Sequence, residues 1–359
     1  MATAKHDNDD VQRIDHIKRF IRSHGSALMA MPNVTSVGIG HKQKAGKTKK
    51  TVALQFSVSR KLTLQDLRKE SIPAIPRSML FEGEQIVTDV VERQYAVTYV
   101  RVQLQPKPAR KTRQDPIRGG ISVAHVAVSA GTLGAIVRDT ASGAALMLSN
   151  WHVLSGVTGK VGDVIVQPGP FDDNNTARNR AGQLLRSHLG LAGDCAVASI
   201  EGRKVALDQL ELGVSIDSIG KPELGDLVVK SGRTTGVTYG LVSRIEGLFK
   251  LNYDGLGEKT IGGFEIKPSP DHPAPGNEIS KGGDSGSAWL GVEPRSGKIG
   301  STMLGLHFAG SVKGSGVSEF GIACYAHSVF QKLSIEPYVG PVSARAPARK
   351  KAKRVAEER

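Results

Sequence analysis

From Gly120 onward, the sequence consists of short apolar runs separated by turn residues. Examples are "GTLGAIVRD", "DVIVQP", "TYGLVSRIEG" and "TMLGLHFA". About twelve such runs occupy roughly 210 residues with almost no helical periodicity, a pattern typical of barrels and other all-β folds. A gap over residues 201–225 divides the runs into two sets. The pattern predicts a mainly β domain built as a barrel or a pair of barrels.

The region before Gly120 has a different pattern. Apolar residues at helical spacing predict an amphipathic helix over residues 10–30, and two β-type runs joined by the lysine-rich "HKQKAGKTKK" predict a hairpin. We therefore expect a small α+β N-terminal domain over residues 1–105. Pro, Gly and positive charge without periodicity then predict a linker over residues 106–119. The β domain would cover residues 120–338, and a basic disordered tail residues 339–359.

The formal net charge of +14 is unevenly distributed along the 359 residues. The last nineteen residues hold seven Lys or Arg against two Glu, and two further basic clusters lie in the segments "HKQKAGKTKK" and "KPARKTR". Solvated loops and a solvated tail are the preferred interpretation of these clusters. A weak nucleic-acid contact through the tail is the alternative, although no aromatic residues alternate with the basic ones to stack on bases.

The composition also bears on the compartment. The first ten residues are polar without a secretory pattern, and no apolar run has the length of a membrane span, so we expect a cytoplasmic protein without membrane contact. Only two cysteines occur, Cys195 and Cys324. Two thiols exclude a disulfide framework and suit a reducing compartment, with a single bridge as the less favoured alternative.

Three residues that could carry chemistry lie at the ends of predicted strands. Ser285 lies in "GGDSG", where glycines would let the amides of Gly283 and Ser285 point at one place. His152 follows the apolar run "LML", and Asp194 directly precedes the run "CAVASI". A serine needs a base to take its proton, and a carboxylate can orient that base. Each residue alone has a structural interpretation as well: a turn, a structural histidine or a paired acid.

Taken together, "LSNWHVL", "GDCAVASI" and "GGDSGSAW" resemble the chymotrypsin-like serine peptidases, in the order His, Asp, Ser of that family. The segment "KSGRTTGVTYGLV" is similar to the one that opens the second barrel in bacterial and glutamyl-endopeptidase-like members. The resemblance covers about residues 120–335 and implies two antiparallel six-stranded β-barrels with the active site between them.

The resemblance also implies residue roles. Ser285 would be the nucleophile, His152 the general base and acid, and Asp194 the residue that orients the imidazole, while Gly283 and Ser285 amides would form the oxyanion hole. In "LGLHFAGS", His307 would help to bind an acidic substrate side chain, and a barrel histidine without ligand is the alternative.

The function expected from these residues is that of a serine endopeptidase that hydrolyses peptide bonds through an acyl-enzyme. No cofactor or metal is expected, and the expected partner is a protein or peptide substrate, while a homo-oligomer is left open. Ile279 stands where trypsin-like members carry an acid, and no zymogen activation site of the usual type is present. The alternative is a catalytically silent peptide-binding or scaffold module that works through its basic segments.

Three other patterns are set aside. The segment "GHKQKAGKT" has the wrong glycine spacing for a phosphate-binding loop. Cys324 and His327 suggest a thiol nucleophile but have no oxyanion device beside them. Asp172 and Asp173 could bind a hard cation, but a solvated turn is the preferred interpretation, and no Cys/His cluster has zinc spacing.

Overall fold

The computed structural model of the protein describes residues 8–44, 47–97, 108–311 and 319–340. Strands dominate this part of the chain, which confirms the prediction of a mainly β protein. Among the described helices, none combines the length and apolar content needed to cross a bilayer. The predicted basic tail lies outside the described residues from residue 341 onward.

The N-terminal region begins with the predicted helix. Its buried face carries Ile17, Phe20, Ile21 and Leu28, whose spacing places them on one side of the helix. The predicted hairpin follows, with Gln43 paired to Thr48 near its turn. The elements of this region are α1 (Asn8–Met29), β1 (Val34–Lys44), β2 (Lys47–Val58), α2 (Leu64–Lys69), β3 (Ser78–Phe81), β4 (Glu84–Glu92) and β5 (Tyr95–Val97).

The first set of short strands follows a 3-10 turn at Ala109–Lys111. Its elements are β6 (Ile117–Gly119), β7 (Ser122–His125), β8 (Gly131–Thr132), β9 (Ala135–Asp139), β10 (Ala145–Ser149), α3 (Trp151–Leu154), β11 (Val164–Val166), α4 (Thr176–Asn179), β12 (Arg180–Gly190), β13 (Gly193–Ser199) and β14 (Val205–Gln209).

The second set contains a long hairpin and ends in a helix and a short strand. Its elements are β15 (Ser218–Ile219), β16 (Leu227–Gly232), β17 (Gly236–Tyr253), β18 (Gly257–Pro268), a 3-10 turn (Pro275–Asn277), β19 (Ala288–Val292), β20 (Ile299–Ser311), β21 (Gly321–Tyr325), α5 (Ala326–Leu333) and β22 (Ile335–Pro337).

The described strands form one sheet of twelve strands, one of eight and one pair. The main path of the large sheet is β16-β19-β20-β21-β18-β17-β1-β2-β4-β3, and that of the second is β22-β9-β10-β13-β12-β11-β7-β8. Because β1 pairs antiparallel with β17, the N-terminal strands extend the sheet of the second set. Within the large sheet, β16 pairs with both β17 and β19, so six strands of the second set pair in a closed ring, in the order β16-β19-β20-β21-β18-β17. The described pairing does not close the eight-stranded sheet into a second ring, and it joins the N-terminal strands to β17.

Three clusters of buried apolar side chains stabilise this arrangement. One lies inside the first set, and a second packs strands of both sets together. The third joins α1 and the N-terminal strands to the second set, since Ile17 and Val37 belong to the same cluster as Ile266 and Trp289. The described part of the predicted linker is also packed: Arg110 is buried and donates to the carbonyl of Gly232 at 2.6 Å.

Candidate active site

His152 and Asp194 are brought together by the pairing of two strands. His152 lies in α3, directly after β10, and Asp194 lies at the start of β13, which pairs antiparallel with β10. The Nδ1 atom of His152 is 2.6 Å from Oδ2 of Asp194, and the His152 amide donates to Oδ1 at 3.2 Å. A carboxylate at Nδ1 favours a proton on that nitrogen and leaves Nε2 able to accept one.

The carboxylate of Asp194 is completely buried and well partnered. The hydroxyl of Tyr253, in β17, donates to Oδ2 at 2.7 Å. The side-chain amide of Asn150 donates to the Asp194 carbonyl at 2.7 Å, and the Asp194 amide donates to Sγ of Cys324 at 3.2 Å. A buried carboxylate is expensive unless hydrogen bonds satisfy it, and the contacts with His152 and Tyr253 do so, while those with Asn150 and Cys324 fix the backbone of Asp194. The sequence around Asp194 does not indicate the contact between its carboxylate and Tyr253.

The Nε2 atom of His152 is buried and has no hydrogen-bond partner among the described residues. Ring nitrogens of His16, His188 and His327 are in the same condition, so an unpartnered nitrogen alone does not identify a catalytic group. His152 differs from them because its other ring nitrogen is hydrogen-bonded to a buried carboxylate. The imidazole is therefore oriented on one side and able to accept a proton on the other.

Ser285 lies in a tight turn that only glycine permits on either side. Gly283 and Gly286 have φ of 94° and 95°, and a Cβ at Gly286 would come within 2.2 Å of Ser149 Oγ. Ser285 itself is buried. The amides of Gly283 and Ser285 donate no hydrogen bond within the part of the chain that the structure describes. An amide without an acceptor is the kind of donor that an oxyanion requires, and the assignment of these two amides to an oxyanion hole stays a prediction.

Gly131 links the Ser285 turn to the His152 helix. A Cβ at Gly131 would lie 2.4 Å from Cγ2 of Val153, the residue after His152, and 3.1 Å from the Ser285 carbonyl oxygen. The Thr132 amide donates to that carbonyl at 2.7 Å. The backbone of β8 therefore lies between α3 and the Ser285 turn, and the three predicted residues occupy one region of the molecule.

Asp284 anchors the Ser285 turn through its buried side chain. Its carboxylate and the Lys230 ammonium are fully buried, with Nζ and Oδ2 3.3 Å apart. The carboxylate also accepts from the amide of Thr234 at 2.8 Å and from the hydroxyl of Thr235 at 2.7 Å. Burial alone would raise the pKa of Asp284, but the Lys230 charge and these hydrogen bonds hold that pKa below its ordinary value. The turn that carries Ser285 is thereby tied to β16.

Asp172, one of the two acids considered for a cation, forms an ion pair with Arg233. Both side chains are buried, and two guanidinium nitrogens contact the two carboxylate oxygens. Asp173 accepts from the Asn175 amide at 3.1 Å. Within the described ranges, no group of three or more His, Cys, Asp or Glu residues could hold a metal ion.

His307 lies in β20, next to the Ser285 turn. Its carbonyl accepts from the Gly286 amide at 2.8 Å, and its ring nitrogen Nδ1 is 3.4 Å from the Trp289 indole nitrogen. Burial, and then the charge of Lys230, lower the pKa of His307 to about 3, so the ring is neutral at physiological pH. A role in substrate selectivity stays a prediction, and in this environment it would depend on a neutral imidazole.

Both cysteines are buried free thiols. Burial raises the pKa of Cys195 and of Cys324 well above the ordinary value. Because the thiolate is the nucleophilic form, neither cysteine is suited to attack a substrate.

Comparison with known protein families and with curated proteins finds no match. Solved structures similar to this chain include Thermobifida fusca protease A, with 17% identity, a TM-score of 0.45, and coverage of 63% of this chain and 100% of that one. Nocardiopsis protease has 17% identity and a TM-score of 0.45, and covers 62% of this chain and 98% of its own. A serine protease described as specific for glutamic acid through a histidine triad has 20% identity and a TM-score of 0.42, with coverage of 62% and 100%. At such values, activity has to be inferred from the site itself.

Proposed function

We propose that the protein is a serine endopeptidase that cleaves peptide bonds through an acyl-enzyme intermediate. One observation carries the proposal: the His152 imidazole is bound to Asp194 at 2.6 Å through Nδ1, while its buried Nε2 has no partner among the described residues. Beside it, the Ser285 turn presents two unpaired amides. A base, a nucleophile and oxyanion donors are the elements that acyl transfer needs.

In the proposed reaction, Ser285 Oγ attacks the carbonyl carbon of the scissile bond and its proton passes to Nε2 of His152. The amides of Gly283 and Ser285 stabilise the resulting oxyanion, and the carboxylate of Asp194 stabilises the imidazolium. The intermediate then collapses: the carbonyl re-forms, the scissile C–N bond breaks, and the leaving amine takes the proton from Nε2, so that the acyl group remains on Ser285 Oγ as an ester. A water molecule, deprotonated by the same imidazole, hydrolyses the ester and regenerates Ser285.

The proposal is tested by labelling with a fluorophosphonate probe, which reacts with activated serines. The wild type is expected to be labelled and to hydrolyse casein, whereas Ser285→Ala and His152→Ala should lose about 10⁴-fold or more of the hydrolysis rate. Ser218→Ala is the matched control, because Ser218 lies in β15 with its hydroxyl bonded to Thr302. It should retain labelling and activity.

Labelling of wild type and Ser285→Ala alike would contradict the role of Ser285. Absence of labelling from folded wild type, together with absence of casein hydrolysis, would instead favour the catalytically silent peptide-binding module.

A further inference from the structure

The short strand β5 of the N-terminal region pairs with the end of β20, close to Ser285. Val97, Ala96 and Tyr95 lie opposite Ala309, Gly310 and Ser311 in antiparallel register. More than 200 residues separate the two strands in sequence, so the pairing is a tertiary contact between distant parts of the chain.

The edge that β5 covers is the one beside the nucleophile. At Gly310, β20 pairs with both Gly321 and Ala96, so β21 and β5 lie on opposite edges. Two residues before Ala309, the His307 carbonyl accepts from the Gly286 amide, and the His307 amide donates to the Ser287 carbonyl. The Ser285 turn and β5 therefore occupy consecutive positions along one edge, about 7 Å apart at roughly 3.3 Å per residue.

The direction of β5 is also informative. Because β5 runs antiparallel to β20, it passes from Ser311 to Ala309 and points toward His307 and the Ser285 turn. Extended peptides bind to proteins by adding a strand to a free sheet edge. A peptide that presented its carbonyl to Ser285 from this edge would have to take the position that β5 fills.

Buried contacts on two sides hold β5 in place. The Tyr95 hydroxyl contacts Ser57 Oγ at 2.7 Å and accepts from Arg244 at 3.0 Å, and its ring packs edge-on against Phe249 and Phe320. Two residues earlier, Arg93 forms an ion pair with the buried Glu265 at 3.1 Å.

We propose that β5 is a built-in occupant of the peptide-binding edge, through which the N-terminal region restrains access of extended substrates to Ser285. The kinetic part of this inference rests on the proposed peptidase function, whereas occupancy of the edge does not. A tethered competitor acts at a high effective concentration, so the apparent affinity for a free peptide equals the intrinsic affinity multiplied by the fraction of molecules in which the edge is open.

The occupancy is tested by peptide binding in a Ser285→Ala background, where no cleavage can occur. The probe is a fluorescein-labelled peptide with the sequence of residues 93–97, Arg-Gln-Tyr-Ala-Val. Ala96→Pro weakens β5 pairing, since proline cannot donate to a ladder, and Ala96→Ser is the matched control. The proline variant should bind the peptide at least tenfold more tightly in fluorescence anisotropy, and the serine variant should behave as the parent. Equal affinities in all three proteins, or no binding to any, would overturn the inference.

A second variant covers the case in which Ala96→Pro does not fold. Tyr95→Phe removes both hydroxyl contacts but keeps the ring and the backbone, so β5 should dissociate more readily and peptide affinity should rise by a smaller factor. Either of two results would argue against β5 as the occupant of the edge: an unchanged peptide affinity in folded Tyr95→Phe, or no gain in peptide affinity in Ala96→Pro.

The kinetic consequence is measured with Ser285 intact. Ala96→Pro should cleave an extended peptide substrate at least tenfold faster, while its labelling by a small fluorophosphonate changes little. If the probe labelled both the wild type and Ala96→Pro and the two cleaved the substrate at equal rates, the inference about β5 would be wrong, and the peptidase proposal would be unaffected. Absence of labelling in both would end the peptidase proposal, and the anisotropy result would still decide whether β5 covers the edge.

Discussion

At the scale of single residues, the site depends on how completely one carboxylate is satisfied. Oδ1 of Asp194 accepts from the His152 amide, and Oδ2 contacts both the imidazole and the hydroxyl of Tyr253. The contact of the tyrosine hydroxyl within this group is with Asp194. It positions Asp194, and through it the ring of His152.

We expect Tyr253→Phe to lower kcat about tenfold or more with little change in KM, because a hydrogen bond to a charged group contributes roughly 1.5–3 kcal/mol. Tyr239→Phe is the matched control, since the Tyr239 ring stacks on His272 away from the Asp194 carboxylate. Steady-state kinetics and the thermal midpoint distinguish the two roles. A variant with lower stability but unchanged kcat would identify Tyr253 as a structural residue only.

The buried pair Lys230–Asp284 leads to a prediction about stability. Asp284→Asn leaves the Lys230 ammonium buried without its counter-charge, which should lower the free energy of unfolding by about 3–5 kcal/mol. The double variant Lys230→Met/Asp284→Asn should recover part of that loss, because it removes the buried charge as well. Denaturant unfolding of the two single variants and the double variant measures these differences. Equal losses in the single and double variants would mean that the pair is not the cause.

The same pair predicts a pH dependence with a definite sign. The pKa of Asp284 is below its ordinary value of 3.8 in the folded protein, so its stabilising contribution is complete above that value. It should be lost as the pH falls through the lower folded-state pKa. The stability difference between wild type and Asp284→Asn should therefore shrink only below about pH 4. A difference that shrank as the pH rose toward neutrality would contradict this assignment.

At the scale of elements, two short segments have to stay in register: α3 with His152 and the turn with Ser285. The strand β8 separates them, and Gly131 fits there because it has no side chain. Even a methyl group would have to displace α3 or the turn. The distance between α3 and the Ser285 turn, rather than the reactivity of the two side chains, then decides whether the imidazole and the hydroxyl can meet.

Gly131→Ala should consequently reduce kcat/KM by about 10²-fold while the protein stays folded, since misplacement by an ångström can have that effect. Gly291→Ala in β19 is the control, because a Cβ there would be in ordinary contact with Leu304 at 3.6 Å. Kinetics and circular dichroism of both variants provide the test. Similar activities for the two would mean that Gly131 does not set the distance between His152 and Ser285.

The sequence predicted those parts of the fold that depend on local pattern. Helix α1, the β1–β2 hairpin and the short strands follow from periodicity. The candidate site residues lie in contiguous motifs, and their roles stay predictions. Tyr253 and Lys230 could not be predicted in the same way, because their partners lie 59 and 54 residues away in sequence. Hydrogen bonds of that kind leave no periodic signal, and only the folded arrangement of strands reveals them.

At the scale of the whole molecule, the relation of the N-terminal region to the rest is the main difference from the expected architecture. A change in composition near residue 106 indicated a boundary, but a sheet edge carries no sequence mark of its partner. In the structure, β1 adds to β17. The buried Arg244 of β17 donates to Gln55 and Ser57 of β2, so polar as well as apolar contacts cross the expected boundary.

A shared core of this kind predicts shared cooperativity. Ile17 of α1 is fully buried and belongs to the same apolar cluster as Val242, Ile266 and Trp289 of the second strand set. Ile17→Ala should therefore cost about 2–5 kcal/mol and lower the melting temperature of one transition that includes the second strand set. Val11→Ala, at an exposed position of the same helix, is the control and should change stability little. If calorimetry instead resolved two transitions and Ile17→Ala moved only one, the N-terminal region would be an independent folding unit. Its contact with the sheet edge beside Ser285 would then depend on β5 alone.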